Sequence, residues 1–189
     1  MHAKKTIAIV CLEGAECEEL RQPLEYFGYL VVVYKTGRPQ HFMDILADEM
    51  PIAFDYVIIA GHGDEGKFCM TELGEDIYTP DEPRGDFCHK EVRKHLTWSN
   101  ICVISTACTT GHDEMARVFT EKGNTYIAPR HEIYGDSMLA FVLMFFYFHT
   151  FSPASVHSLD IEAAHIKAAA IDTEMAMIGL WKTKSSHTL

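Results

Sequence analysis

The chain has 189 residues, 48% of them hydrophobic and 23% charged, a balance that supports one buried core and excludes a disordered polymer. Its formal net charge of -11 speaks against nucleic acid or an anionic membrane surface as the main partner, because both select basic patches. No cationic stretch followed by an apolar one opens the chain, so the six cysteines are expected as reduced thiols in the cytosol.

Residues 6–12 (TIAIVCL) are the first of four continuous apolar runs, each with the length of a strand buried on both faces. The others are 29–35, 54–61 and 100–107, and a shorter run begins at Asn124. Cys11 and Cys102 lie inside these runs and read as inert core residues. Between the runs the apolar spacing turns helical. Cys17, Leu20, Leu24 and Phe27 form one stripe, which Pro23 is expected to split into two short pieces. Phe42, Ile45 and Leu46 form a second, with Pro39 suited to its first turn. Met115, Val118 and Phe119 form a third, closed by Gly123. Two helices follow the strands. One is the apolar segment from Ser137, whose core at 138–148 is too short to span a bilayer. The other runs through Ile161, Ala164, Ala168, Ile171, Met175 and Ile178. Strands alternating with helices imply a doubly wound, mainly parallel α/β sheet with helices on both faces, in one domain over residues 1–189. Residues 67–90 break the alternation. They are polar, carry Pro80 and Pro83, and are long enough for a functional loop leaving a carboxyl strand end.

The stretch YVIIAGHGDEG, residues 56–66, carries the chemistry. Gly61, Gly63 and Gly66 spell the glycine fingerprint of a dinucleotide site. Such a site needs a helix to start there and meet the pyrophosphate. The following residues show no helical stripe, and Asp64 and Glu65 stand where that negative charge would go. A flavodoxin-like nucleotide-binding domain is therefore the weaker reading, and no affinity for NAD, FAD or FMN is expected. The stronger reading pairs His62, beyond the third run, with Cys108, beyond the fourth. If those runs are neighbouring parallel strands, imidazole and thiol converge over one edge of the sheet. A helix beginning near Thr110 would favour the thiolate, and the N–H groups of Gly63 and Cys108 would form an oxyanion hole.

With AGHG ending one strand and TAC the next, 46 positions separating His62 from Cys108, the chain resembles the caspase-fold cysteine peptidases. The segment YIAPRHEIYGDSMLAFVLMFFYF further resembles the bacterial CHAT-like and gingipain-like members. The resemblance implies a caspase-like fold, endopeptidase activity on peptide or protein substrates, and no cofactor. His62 is then the general acid and base, Cys108 the nucleophile, and Asp136 a structural residue at a helix start. The caspase signature Q-A-C-x-G is replaced by TACTTG, so caspase specificity and zymogen processing do not carry over.

Asp64, His112 and Asp113 are candidate substrate-pocket residues. Asp64, Glu65, Asp76, Asp81, Glu82 and Asp86 are expected to form a solvated face, or to select a basic side chain if they crowd the cleft. Cys69, Cys88, His89 and His62 fit no short zinc-binding motif, so no metal is implied. The rival in another class is a caspase-fold domain that binds a partner without turning over substrate.

Overall fold

Thr6–Cys11 (β1), Tyr56–Ala60 (β3) and Cys102–Ser105 (β6) are the apolar runs that lie deepest, and every residue of β3 and β6 is buried. The computed structural model describes residues 5–12, 17–47, 53–151 and 159–183; the first four residues, on which the expectation about a leader falls, lie outside them. Among the described residues, Leu30–Lys35 (β2), Thr125–Pro129 (β7) and Ile178–Trp181 (β8) complete a six-stranded sheet in the order β2-β1-β3-β6-β7-β8. All its pairings are parallel except the last, in which β8 runs against β7. A two-stranded hairpin, Gly63–Asp64 (β4) and Lys67–Phe68 (β5), stands apart from it.

The alternation of inward and outward side chains along each strand feeds two cores. Ile7, Ile9, Ile58, Ile104 and Ile127 face one way, against Cys17–Tyr26 (α1), Gly135–Phe151 (α5) and Ile161–Ala169 (α6). Ala8, Val10, Val57, Ile59 and Val103 face the other way, against Pro39–Leu46 (α2), His89–His95 (α3) and Asp113–Thr120 (α4). The doubly wound arrangement expected from the alternation is thus present. Phe141, Val142, Phe145 and Phe146 of α5 are buried in the first core, and no helix among the described residues is long and apolar enough to cross a membrane.

Five local expectations change. Pro23 does not split its helix: α1 continues through it, and the Phe27 N–H bonds to the Pro23 carbonyl at 2.9 Å. The helix expected through Ile178 stops at Ala169. There Asp172 accepts from the Met175 N–H at 2.8 Å, capping a short 3-10 turn that feeds β8. Residues 67–90 are not a free loop over the strand ends. Phe68 and Phe87 exchange backbone hydrogen bonds of 3.0 and 2.9 Å and pack on Phe42 in the second core. Glu82, expected in a solvated face, is buried. It takes the Arg38 guanidinium, the Gln40 N–H at 2.8 Å and the Thr79 N–H at 2.9 Å, and the hydrogen bonds from Arg38 first of all hold its carboxyl far below the usual range. Finally, Cys11 and Cys17 are joined as a disulfide with Cα atoms 6.2 Å apart, a usual span for such a bridge, where reduced thiols were expected. Cys102 is free and buried, and burial pushes its thiol up to about 12, in keeping with an inert core residue.

Two histidines tie α5 and α6 to the sheet as neutral groups. His149 Nδ1 meets the Leu159 carbonyl at 2.6 Å, which can only accept, so Nε2 accepts from the Tyr56 hydroxyl at 2.6 Å. His165 Nε2 donates to the Ile178 carbonyl at 2.8 Å. Burial lowers both pKa values from 6.5, because it disfavours the charged ring. The unfolded chain binds these protons first, so the stability held above the unfolded pKa is lost as the pH falls toward the folded values. The denaturant midpoint should therefore hold near neutrality and fall as the pH drops below about 6.5. In the double variant His149→Gln, His165→Gln the fall should be shallower. A midpoint that rises on acidification would contradict neutral buried rings.

Candidate active site

Hydrogen bonding between β3 and β6 sets Tyr56 level with Cys102 and Ile59 level with Ser105. Counted past both strand ends, the same offset aligns position 62 with position 108 in the sequence. Paired strands lie about 4.8 Å apart, so the two residues leave the sheet side by side. Two bonds keep the ends together beyond the strands: Thr106 N–H to the Ile59 carbonyl at 2.9 Å, and Gly61 N–H to Thr106 Oγ1 at 3.2 Å. His62 is exposed and Cys108 half-buried, and both line one cavity of about 290 Å³. The thiol donates to the Ile133 carbonyl at 3.4 Å.

The three glycines do not start a helix. Gly66 has φ +76° and Glu65 φ +47°, the two positive angles of a type I′ turn, and this turn closes the β4–β5 hairpin. A side chain on Gly66 would also run into the His112 ring. Gly61 lies against Leu12, and Gly63 lies so close to the Cys108 carbonyl that a Cβ there would force the backbone to move. The fingerprint is thus three separate close approaches around a hairpin. Because the Cys69 N–H bonds to the His62 carbonyl at 3.1 Å, the Gly63–Phe68 pair is the non-hydrogen-bonded one. The Gly63 N–H therefore points away from β5. The Cys108 N–H has no acceptor among the described residues, although the N–H groups of Ala107 and Thr109 on either side are both bonded.

A buried hydroxyl cage shapes the turn at Cys108, and sequence reasoning missed it. Ser105 and Thr110 are both fully buried, with hydroxyls 2.8 Å apart. Ser105 Oγ accepts from the Ala107 N–H at 3.2 Å, and Thr110 Oγ1 reaches the Ala107 carbonyl at 2.8 Å. Between them Thr109 sits at φ +61°, an uncommon angle for a β-branched residue, which costs about 1–3 kcal/mol. Its N–H is held by the His131 carbonyl at 3.3 Å, and its hydroxyl accepts from the Gly66 N–H at 3.0 Å. The available signal was the polar pair flanking TAC in an otherwise apolar run.

Several expected site residues lie elsewhere. The helix after the nucleophile begins at Asp113 rather than near Thr110, so its N-terminus does not abut the thiol. Asp64, His112 and Asp113 do not line the cavity. Asp64 is exposed and takes the Glu65 N–H at 2.9 Å, while Asp113 accepts from the Trp181 indole at 3.4 Å. His112 donates from Nε2 to the Gly66 carbonyl at 3.0 Å and so positions the hairpin. Gly63 is not among the residues that line the cavity. Asp136 lies in the first turn of α5, where its carboxylate accepts from the Ser137 N–H at 2.9 Å. Among the described residues no three His, Cys, Asp or Glu side chains converge to hold a metal ion. The wall instead contains Leu20, Ile133, Met138 and Leu139, which nothing in the sequence set apart from ordinary core positions.

No protein-family model and no curated protein matches the chain. Solved structures do. The Saccharomyces cerevisiae separase–securin complex aligns over 95% of this chain and 12% of its own, with TM-score 0.56 and 10% identity. The Arg specific cysteine proteinase gingipain R aligns over 91% of this chain and 43% of its own, with TM-score 0.56 and 14% identity. A secreted C11 cysteine protease from Bacteroides thetaiotaomicron aligns over 89% of this chain and 59% of its own, with TM-score 0.51 and 13% identity. The chain thus spans less than two thirds of each of these proteins, and at such identities the likeness is one of fold. It has the caspase-like α/β fold that the sequence led us to expect.

The cage can be tested without a substrate. Thr110→Val keeps the shape but leaves Ser105 and the Ala107 carbonyl without that partner, so stability should fall by about 1–3 kcal/mol in urea titrations. A cost near zero would show that the hydroxyl pair does not hold the turn.

Proposed function

We propose that the chain is a cysteine peptidase in which Cys108 and His62 form the catalytic dyad. The observation that carries this is that His62 and Cys108 follow the carboxyl ends of adjacent parallel strands, β3 and β6, and line one cavity. In open α/β sheets that edge is where ligands bind. The proposal takes residues 1–189 as one caspase-like domain, near in kind to the CHAT-like and gingipain-like members, acting on peptide or protein substrates.

The chemistry proceeds in two halves. The Cys108 thiol turns from the Ile133 carbonyl toward the cleft and gives its proton to His62, and the sulfur attacks the scissile carbonyl. Negative charge develops on the carbonyl oxygen, and the N–H groups of Gly63 and Cys108 are its donors. As the C–N bond breaks, His62 returns the proton to the leaving amine. Water then gives a proton to His62 and its oxygen to the thioester, releasing the acid and restoring the thiol. What supports the donor assignment is that neither N–H is spent nearby: one points out of the hairpin, and the other has no acceptor among the described residues.

The dyad predicts selective reactivity. At limiting iodoacetamide, mass spectrometry should find Cys108 alkylated well before buried Cys102. His62→Ala should slow peptide hydrolysis by about 10²- to 10⁴-fold, and Cys108→Ala should abolish it. Wild-type protein that labels at Cys108 but cleaves no peptide would favour the partner-binding rival. Labelling that spares Cys108 would remove the nucleophile.

A further inference from the structure

The cavity beside Cys108 is walled by Leu20 from α1, Met138 and Leu139 from α5, and Ile133 from the segment before α5. Leu20 and Met138 are 3% and 2% exposed, so the α1–α5 core packs this wall from behind before any ligand arrives. Thr106 supplies one hydroxyl at the floor, and its oxygen is already engaged by the Gly61 N–H. Among the described lining residues there is no Asp, Glu, Lys or Arg. Carboxylates near the site lie outside the wall: Asp64 and Asp113 are exposed, and Glu174 accepts from the Tyr134 N–H at 3.3 Å.

We infer that this cavity receives an apolar side chain, of leucine, methionine or phenylalanine size, from the residue whose carbonyl Cys108 attacks. The inference rests on the peptidase reading and adds the substrate class to it. A guanidinium or carboxylate seated among Leu20, Met138 and Leu139 would give up its water with no counter-charge, at a cost of several kcal/mol. An aliphatic or aromatic side chain gains about 25 cal/mol for each Å² it buries there. About 290 Å³ holds one such side chain together with the reacting backbone, and Met138 can adjust to its shape.

The test is a set of tripeptidyl chloromethyl ketones that differ only in that residue: Leu, Met, Phe, Arg or Asp. The Cys108 thiolate displaces chloride from the methylene carbon and forms a thioether, read as mass gained at Cys108 over time. On the full chain, the three apolar reagents should react at least about tenfold faster than the Arg and Asp reagents. An Arg or Asp reagent that labels Cys108 as fast as the Leu reagent would overturn the apolar assignment and leave the peptidase reading standing. Five reagents no faster than chloroacetamide would overturn the peptidase reading, and this inference with it. In Leu139→Asp, at a half-buried position, the Leu-to-Arg rate ratio should fall at least about tenfold. An unchanged ratio in the folded variant would show that Leu139 does not face the bound side chain.

Discussion

The parallel pairing of β3 with β6 is the constraint on which the site depends. Both strands are buried on both faces and held by a continuous hydrogen-bond ladder, so neither can slide without exposing its apolar side chains. Slipping the pairing by one residue would exchange the faces of every side chain on the strand. That cost is far larger than anything the exposed strand ends can offer in return. The ends therefore inherit their alignment from the core, and His62 and Cys108 follow neighbouring strand ends because Tyr56 and Cys102 pair.

What the ladder cannot supply is the direction of the thiol once the strand has ended. The buried Ser105–Thr110 pair takes over that task, bending the chain through Thr109 at positive φ. Gly66 and His112 brace the bend from the hairpin side through the Thr109 hydroxyl and the Gly66 carbonyl. Gly63 then has to be a glycine because its Cα rests against the Cys108 carbonyl. The glycine pattern that looks like a nucleotide fingerprint is the imprint of this packing. A glycine is demanded wherever backbone meets backbone, whatever the ligand.

Sheet class and strand neighbours were readable because each rests on a strong local pattern. Four continuous β-branched runs leave few ways to build a sheet, and AGHG and TAC mark the ends of two of them. Other features depended on distant contacts. The stripe from Ile161 to Ile178 keeps a helical period, yet the chain leaves the helix at Ala169 because β7 offers an unpaired edge that β8 completes. Glu82 looks like one more acid in a polar loop until folding brings Arg38 to it. The cavity wall was invisible for the same reason: Leu20 and Met138 are core residues by every local measure, and only the meeting of α1 with α5 turns them into a pocket. Asp64, His112 and Asp113 are near His62 and Cys108 in sequence but do not line that cavity.

The central claim is that Cys108 attacks a carbonyl whose oxygen settles between two backbone N–H groups. A crystal structure with a peptide aldehyde measures this directly, since the thiol adds across the C=O to form a hemithioacetal with the geometry of the tetrahedral intermediate. The account predicts a bond from Cys108 Sγ to the former aldehyde carbon and an oxygen about 2.7–3.1 Å from the N–H groups of both Gly63 and Cys108, with His62 beside the sulfur. An adduct oxygen turned away from both N–H groups, or an aldehyde bound at another cysteine while Cys108 stays free, would contradict it.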